Sequence, residues 1–498
     1  MDRRHLLQWL GGSALALPLL ASVPSAFAAT SVDPLTRAAR QFRASRHAHP
    51  VLAGFEDVPG TGTARVRATV RGRWPRALEG ALYRNGPGRW ERGGQRYAHW
   101  FDGDGLVQHW EIADGRVYHQ SRFVQTAKWQ EEQRAGRFVH AAAGTSIANH
   151  RVIRSPDDLN TANISVLALG DRVYALWEAG SAHEIDPATL ATRGVTAWRP
   201  DLAAVPFSAH PLRDVDGSVW NFGMFGSRLL LWHLGPDGAV RDFRMHELVR
   251  GGYMHSFAQT ATRLVFVLAP LWIDVMRGSF FESLRWHGEA PSLALVIDKN
   301  DLGAAPRVVE LPAGMAYHYA DAWDAGAGAV ELRASWYDDG GTASSPFSGY
   351  MRGDMALPGA IRSRTVALRL PSSGAGRLTD LEIAETEFPV PRQPAVRADL
   401  LCVQAGPQAQ GFSDVVLRID AGHRLRGRHA YGPQCACEEH LWVRDGKGRE
   451  YALGTVFDWS TERTGLMLLD AAHLDDGPIA EAWLPRAMPL GFHGCWVG

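Results

Sequence analysis

Four of the 20 histidines in this 498-residue chain stand where a metal could be held. His210 lies in Phe207-Ser208-Ala209-His210-Pro211 and His255 in Tyr253-Met254-His255-Ser256-Phe257. His318 lies in Tyr317-His318-Tyr319-Ala320-Asp321, and His493 in Gly491-Phe492-His493-Gly494-Cys495-Trp496, near the C-terminal residue. Apolar or aromatic neighbours suit each to burial, and a buried imidazole needs a partner such as a metal ion. The first separations, 45 and 63 residues, approach one propeller-blade repeat, whereas the last is 175. Histidines recurring once per blade on innermost strands would converge on the central axis. Other chemistry finds no signature: P-loop, G-x-G-x-x-G, G-x-S-x-G and H-E-x-x-H motifs are all missing. Cys435-Ala436-Cys437 is too tight for a C-x-x-C pair and reads as ordinary loop thiols. Cys402 and Cys495 form no pattern.

The elements that must carry these residues are short. The 52 Gly, 28 Pro and 18 Trp point to many turns and large buried rings. Leu35 to Arg46 and Phe123 to Phe138 are the best helix candidates. Elsewhere apolar runs alternate with turn dipeptides, as in the hairpin predicted from Ile164–Leu169 and Arg172–Trp177 about Gly170-Asp171. Length alone suggests about three domains, but no linker-like stretch divides the chain. Many evenly spread strands favour one large closed β structure, with a propeller the economical choice. Lys+Arg total 52 and Asp+Glu 53, so no field of one sign invites nucleic acid. Residues 1–28 are read as an export signal. Arg3-Arg4 precedes an apolar run, Trp9 to Val23, and Ala26-Phe27-Ala28 offers a cleavage site. The arginine pair points to the twin-arginine route and a periplasmic destination. Pro18 and Pro24 make the run a poor spanning helix. Residues 29–498 are expected to form one domain.

Several separated blocks look like those of the carotenoid cleavage oxygenases. Leu82-Tyr83-Arg84-Asn85-Gly86-Pro87-Gly88 and His99-Trp100-Phe101-Asp102-Gly103-Asp104-Gly105-Leu106 come first. Asn160-Thr161-Ala162-Asn163, Leu176-Trp177-Glu178 and Glu184-Ile185-Asp186-Pro187 follow in the family's order, and the four histidine contexts complete the set. The resemblance runs from about residue 50 to the C-terminus. It implies an all-β, seven-bladed propeller with a dome of loops and short helices over an axial non-haem Fe(2+). Its ligands would be His210, His255, His318 and His493, with Glu178, Glu387 and Glu439 fixing the rings from behind. Two positions depart from the family pattern: Asp321 stands where Asn is usual, and Ser256 where Asp is usual.

Such enzymes insert O2 across a C=C bond of an apolar substrate and give two carbonyl products. A carotenoid or apocarotenoid substrate is the first expectation. The same chemistry on a stilbene or phenylpropenoid is the alternative, supported by the Gly494-Cys495-Trp496 ending. Lys128 would then meet a phenolic hydroxyl, although a solvated surface lysine is the preferred reading of it. Leu271-Trp272 and Phe280-Phe281 are read either as an apolar mouth with peripheral membrane contact or as core packing under a loop. An exported, non-catalytic ligand-binding propeller is the rival from another class.

Overall fold

Turn residues cut the chain into short antiparallel hairpins, and these assemble into seven blade sheets and two small two-stranded ribbons. The computed structural model describes residues 33–340, 346–355, 363–406 and 411–498; the segment read as an export signal lies outside them. Blade I comprises Gly62–Arg67, Gly80–Arg89, Asp104–Ala113, Arg116–Phe123 and the C-terminal strand Gly494–Val497. Blades II to VI follow in chain order, opening with Ser165–Leu169, Leu212–Arg213, Ala258–Gln259, Met315–Asp324 and Thr386–Pro391 respectively. Blade VII runs from Cys435–Arg444 to Pro478–Trp483 and gains the early strand Thr69–Gly72. The two chain ends therefore exchange strands: blade I is completed by residues from the end of the chain, and blade VII by residues from its start. The expected seven-bladed propeller is the observed fold.

The expected hairpin forms between Ser165–Leu169 and Arg172–Leu176, with Gly170 at φ 61° in the turn. The first helix candidate is α1, Pro34–Arg46, capped by the Asp33 side chain on the Thr36 N–H. It buries Leu35, Ala38, Ala39 and Phe42 along one face. The second is shorter than its pattern. Phe123 ends a strand, and α2 runs only over Ala127–Ala135, from the Thr126 cap to Gly136 at φ 62°. Cys435 and Cys437 are not loop thiols: they open the first strand of blade VII, and Cys437 is buried.

Buried polar groups stitch neighbouring blades near the axis. Asn85 Nδ2 donates to the carbonyls of Ala162 and Ser165, at 2.8 and 3.0 Å, joining blade I to blade II. Ser165 Oγ donates to the Ala209 carbonyl, one residue before His210. Gln259 Nε2 reaches the Arg213 carbonyl at 2.8 Å. Ser256 Oγ donates to the Tyr317 carbonyl at 2.5 Å. Trp442 Nε1 reaches the Val390 carbonyl at 2.9 Å, joining blade VII to blade VI. Both departures from the family pattern are part of this stitching. Ser256 ties the His255 segment to the His318 strand. Asp321 accepts two bonds from Arg333, at 2.8 and 2.7 Å, and the Ala398 N–H at 2.9 Å. Arg333 also donates to the Asp420 carbonyl at 2.9 Å, so the pair binds blade V to blade VI. Tight approach matters too: a Cβ on Gly86 would run into the backbone of Gly491.

Asp321 and Arg333 are both fully buried. Removing one partner leaves the other charge uncompensated, which costs about 3–5 kcal/mol. Arg333→Met is therefore expected to lower the urea midpoint strongly, whereas Asp321→Asn with Arg333→Met loses much less. Equal losses would contradict this role for the pair.

Candidate metal centre

The blade order brings the four histidines to one point on the axis. His210 and His255 lie just before the innermost strands of blades III and IV, and His318 lies within that of blade V. His493 immediately precedes Gly494–Val497. One ring nitrogen from each lies within 4.8 Å of the other three. His210 Nε2 is 2.8 Å from His255 Nε2, and His318 Nε2 is 3.1 Å from His493 Nε2.

Three rings have a carboxylate behind them. His255 Nδ1 lies 3.3 Å from Glu178, His318 Nδ1 2.6 Å from Glu387, and His493 Nδ1 2.9 Å from Glu439. A carboxylate only accepts, so each Nδ1 carries the proton and each Nε2 keeps its lone pair. Further bonds lock the carboxylates. Glu387 accepts the Tyr337 hydroxyl and the Phe388 N–H, and Glu439 accepts the Gly494 N–H at 2.9 Å. Burial works to raise the Glu439 carboxyl, but His493 and Arg84 overcome it and hold the group below its usual value. Burial pulls His210 well below the ordinary imidazole range, with the other three rings adding to the effect. Burial likewise takes His493 down to about 4, against the upward pull of Glu439.

Irregular strands aim these side chains. The pairing register shifts across His318, between Ala316 and Tyr319, and again between Tyr319 and Ala322. It shifts again after Glu387 and between Cys437 and His440, around Glu439. A bulge breaks the two-residue alternation and turns a side chain toward the axis. Phe388, at φ 51°, stacks on His318 with centroids 5.1 Å apart.

Three of the converging nitrogens are lone-pair donors by the tautomer their carboxylates set, and with the His210 ring they crowd one point, an arrangement that a cation between them relieves. Borderline nitrogen donors with carboxylates behind them suit a divalent transition metal, so the residues fit an ion of the Fe(II) type.

The chain matches the family model described as "RPE65: Retinal pigment epithelial membrane protein" over residues 55–498. It belongs to that family. Apocarotenoid-15,15'-oxygenase from Synechocystis is 28% identical over 482 residues, covering 90% of this chain and 96% of that protein. Isoeugenol monooxygenase from Pseudomonas nitroreducens is 25% identical over 459 residues, covering 86% and 94%. A solved Synechocystis apocarotenoid oxygenase superposes with a TM-score of 0.79 at 23% identity, over 90% of this chain and 99% of that one. Its curated relatives being oxygenases, the chain is an oxygenase-type enzyme, and the non-catalytic propeller reading falls.

Other expected residues divide. Lys128 is not a solvated surface lysine: it is fully buried in α2, 3.0 Å from Glu132 and hydrogen-bonded to the Tyr97 hydroxyl. It faces its own helix partner Glu132 at i+4 and the acidic Asp104 at 3.7 Å, and these buried carboxylates draw it inward. Leu271 and Phe281 are buried with Tyr253 and Tyr317, as core packing predicts. Phe280 is 41% exposed. Tyr337 was not foreseen: it ends a strand that is buried almost throughout, so no alternation in the sequence singles it out. An aromatic wall leads away from His493: Phe492 lies 5.1 Å from Phe101, which lies 4.8 Å from Phe347.

Three buried histidines outside the cluster give a pH signature. Burial takes His99 and His119 down to about 3 and His440 to about 4. In the unfolded chain each takes up a proton near pH 6.5, so unfolding consumes protons below that value. Stability is lost as pH falls from 6.5 toward 4, by about 1.4 kcal/mol per pH unit for each uncompensated ring. Asp57 and Asp102, pushed up to about 6 by burial, soften the slope below pH 6. The urea midpoint should fall between pH 6.5 and 5, and a flat or rising midpoint would contradict neutral buried rings.

Proposed function

We propose that His210, His255, His318 and His493 hold Fe(II), and that the enzyme cleaves a C=C bond of an apocarotenoid or carotenoid with O2. The observation that carries the reading is the convergence of four imidazole nitrogens, three of whose rings donate from the opposite nitrogen to a carboxylate. When bound, the ion supplies the site at which O2 is activated. Adding both oxygen atoms across one double bond gives two carbonyls, so no outside reductant is required.

The chain's own residues have three tasks. Glu178, Glu387 and Glu439 hold each ring in one tautomer and at one angle. Tyr337 and the N–H groups of Phe388 and Gly494 fix two of those carboxylates. The wall of Phe101, Phe347 and Phe492 excludes water and presents flat apolar surface to a conjugated chain. No general acid or nucleophile is needed. Similarity to the apocarotenoid oxygenase over nine-tenths of the chain supports the polyene substrate. Half-exposed Phe280, near Val275 in sequence, supports a membrane-facing mouth through which such a substrate would enter.

One observation favours a second reading, a 4-hydroxystilbene or phenylpropenoid. Lys128 and Tyr97 form a fully buried lysine–phenol pair at the start of α2. Such a pair would serve a phenolic hydroxyl, and the isoeugenol enzyme is among the relatives. Product analysis of the iron-loaded enzyme with an apocarotenal and a hydroxystilbene separates the two. The polyene reading expects aldehydes from the apocarotenal and little change in Lys128→Met. Turnover of the hydroxystilbene alone, with KM raised tenfold or more in Lys128→Met, would replace it.

We also propose that residues 1–28 direct export through the twin-arginine route, on the strength of Arg3-Arg4 and the apolar run behind them. Changing both arginines to lysine should hold the protein in the cytoplasmic fraction; unchanged fractionation would refute this.

A further inference from the structure

The histidine cluster depends on a residue that arrives from the opposite end of the chain. Arg84 is fully buried on the Gly80–Arg89 strand of blade I, and its guanidinium divides among three partners. Nη1 donates to the carbonyl of Glu439 at 3.1 Å, and Nη2 to the carbonyl of Phe492 at 3.0 Å. Nε lies 3.3 Å from the Glu438 carboxylate, itself buried. Glu438 in turn accepts the Gly491 N–H and the Thr455 hydroxyl. The next residue along, Asn85, exchanges backbone bonds with the same segment. Its N–H donates to the His493 carbonyl at 2.9 Å, and its carbonyl accepts the Phe492 N–H at 2.8 Å.

These contacts fall on both members of one functional pair. His493 and the Glu439 that orients it come from different segments, the final strand approach and the first strand of blade VII. Nothing in the His493–Glu439 bond itself sets where the two segments stand relative to blades III to V. Arg84 bonds to the backbone of Glu439 and to the residue before His493, and Glu438 bonds to the residue before that. A guanidinium is suited to this, because its rigid fork fixes several acceptors at once. The cost is a buried ion pair, which an apolar pair of similar volume replaces with little loss of stability.

We propose that Arg84 and Glu438 form a positioning clamp that sets the His493–Glu439 pair at the metal-binding radius, so that the pair serves metal affinity rather than folding. This rests on the metal reading above. A clamp of this kind predicts that its loss opens the fourth coordination position while leaving the propeller closed by its exchanged strands.

The test uses the full-length protein, loaded with Fe(II) or with Co(II) as a visible reporter. Three variants are compared with the wild type: Arg84→Lys, Glu438→Gln, and the double change Arg84→Met with Glu438→Met. Transfer of metal to a chelator gives the dissociation rate, the Co(II) absorption spectrum reports the ligand field, and the melting temperature is measured on metal-free protein. The clamp predicts metal loss faster by about 10- to 100-fold, the range seen when groups behind metal ligands are removed. It also predicts an altered Co(II) spectrum, with the metal-free melting temperature of the double variant close to wild type. Wild-type dissociation rates and spectra in the folded variants would overturn the clamp, as would losses that only track a fall in metal-free melting temperature in all three. A wild type that retains neither metal would overturn the metal reading itself, and the clamp with it.

Discussion

Four imidazole rings that converge on one point from separate blades can be held together only by a scaffold that is closed. His210, His255 and His318 belong to blades III, IV and V, and His493 to the segment that leads from blade VII back into blade I. An opening anywhere in the ring would move His493 away from the other three. The strand exchange at the chain ends supplies that closure. Thr69–Gly72 completes blade VII and Gly494–Val497 completes blade I, so each end of the chain is anchored in the other's sheet. Antiparallel pairing leaves no free inner edge there, and separating the blades would break two sets of ladder bonds together.

Closure alone does not give the centre its geometry. Like His318, two of the three carboxylates, Glu387 and Glu439, are placed by departures from regular strand structure at register shifts. Their lone pairs are then filled by neighbours such as Tyr337 and the Gly494 N–H, which leaves little freedom for the rings in front. The result is a donor set prepared before a metal arrives. Burial keeps the His210 and His493 rings neutral, as a nitrogen donor must be. The same burial that weakens the fold in acid thus keeps the ligands available at neutral pH.

Much of this was legible in the sequence, for reasons that differ between residues. Each histidine sits in a short apolar context that reads directly from its neighbours. The seven-bladed fold followed from the resemblance, and the short strands agreed with it. Glu439 was the least distinct of the three carboxylates in sequence, since Glu438 adjoins it. The structure gives the two different partners: Glu439 faces His493, and Glu438 faces Arg84. A bulge between Cys437 and His440 makes that division, and no alternation rule contains it. Long-range pairs were equally hidden. Asp321 alone looks like a misplaced charge, and only the pairing of Met315–Asp324 with Val330–Tyr337 brings Arg333 to it. Lys128 failed for a related reason. Helical spacing pairs Lys128 with Glu132 at i+4, but does not say that Asp104, from a strand of blade I, lies against that face.

The central claim is that all four histidines, and no carboxylate, bind one ion. X-ray absorption on the iron-loaded enzyme tests it most directly, because imidazole rings give a multiple-scattering signature that carboxylates lack. The account predicts one iron per chain with four imidazoles, the remaining positions open to small oxygen ligands, and the loss of one ring in His255→Ala. Two or three imidazoles with a bound carboxylate, as in the facial-triad arrangement, would contradict it.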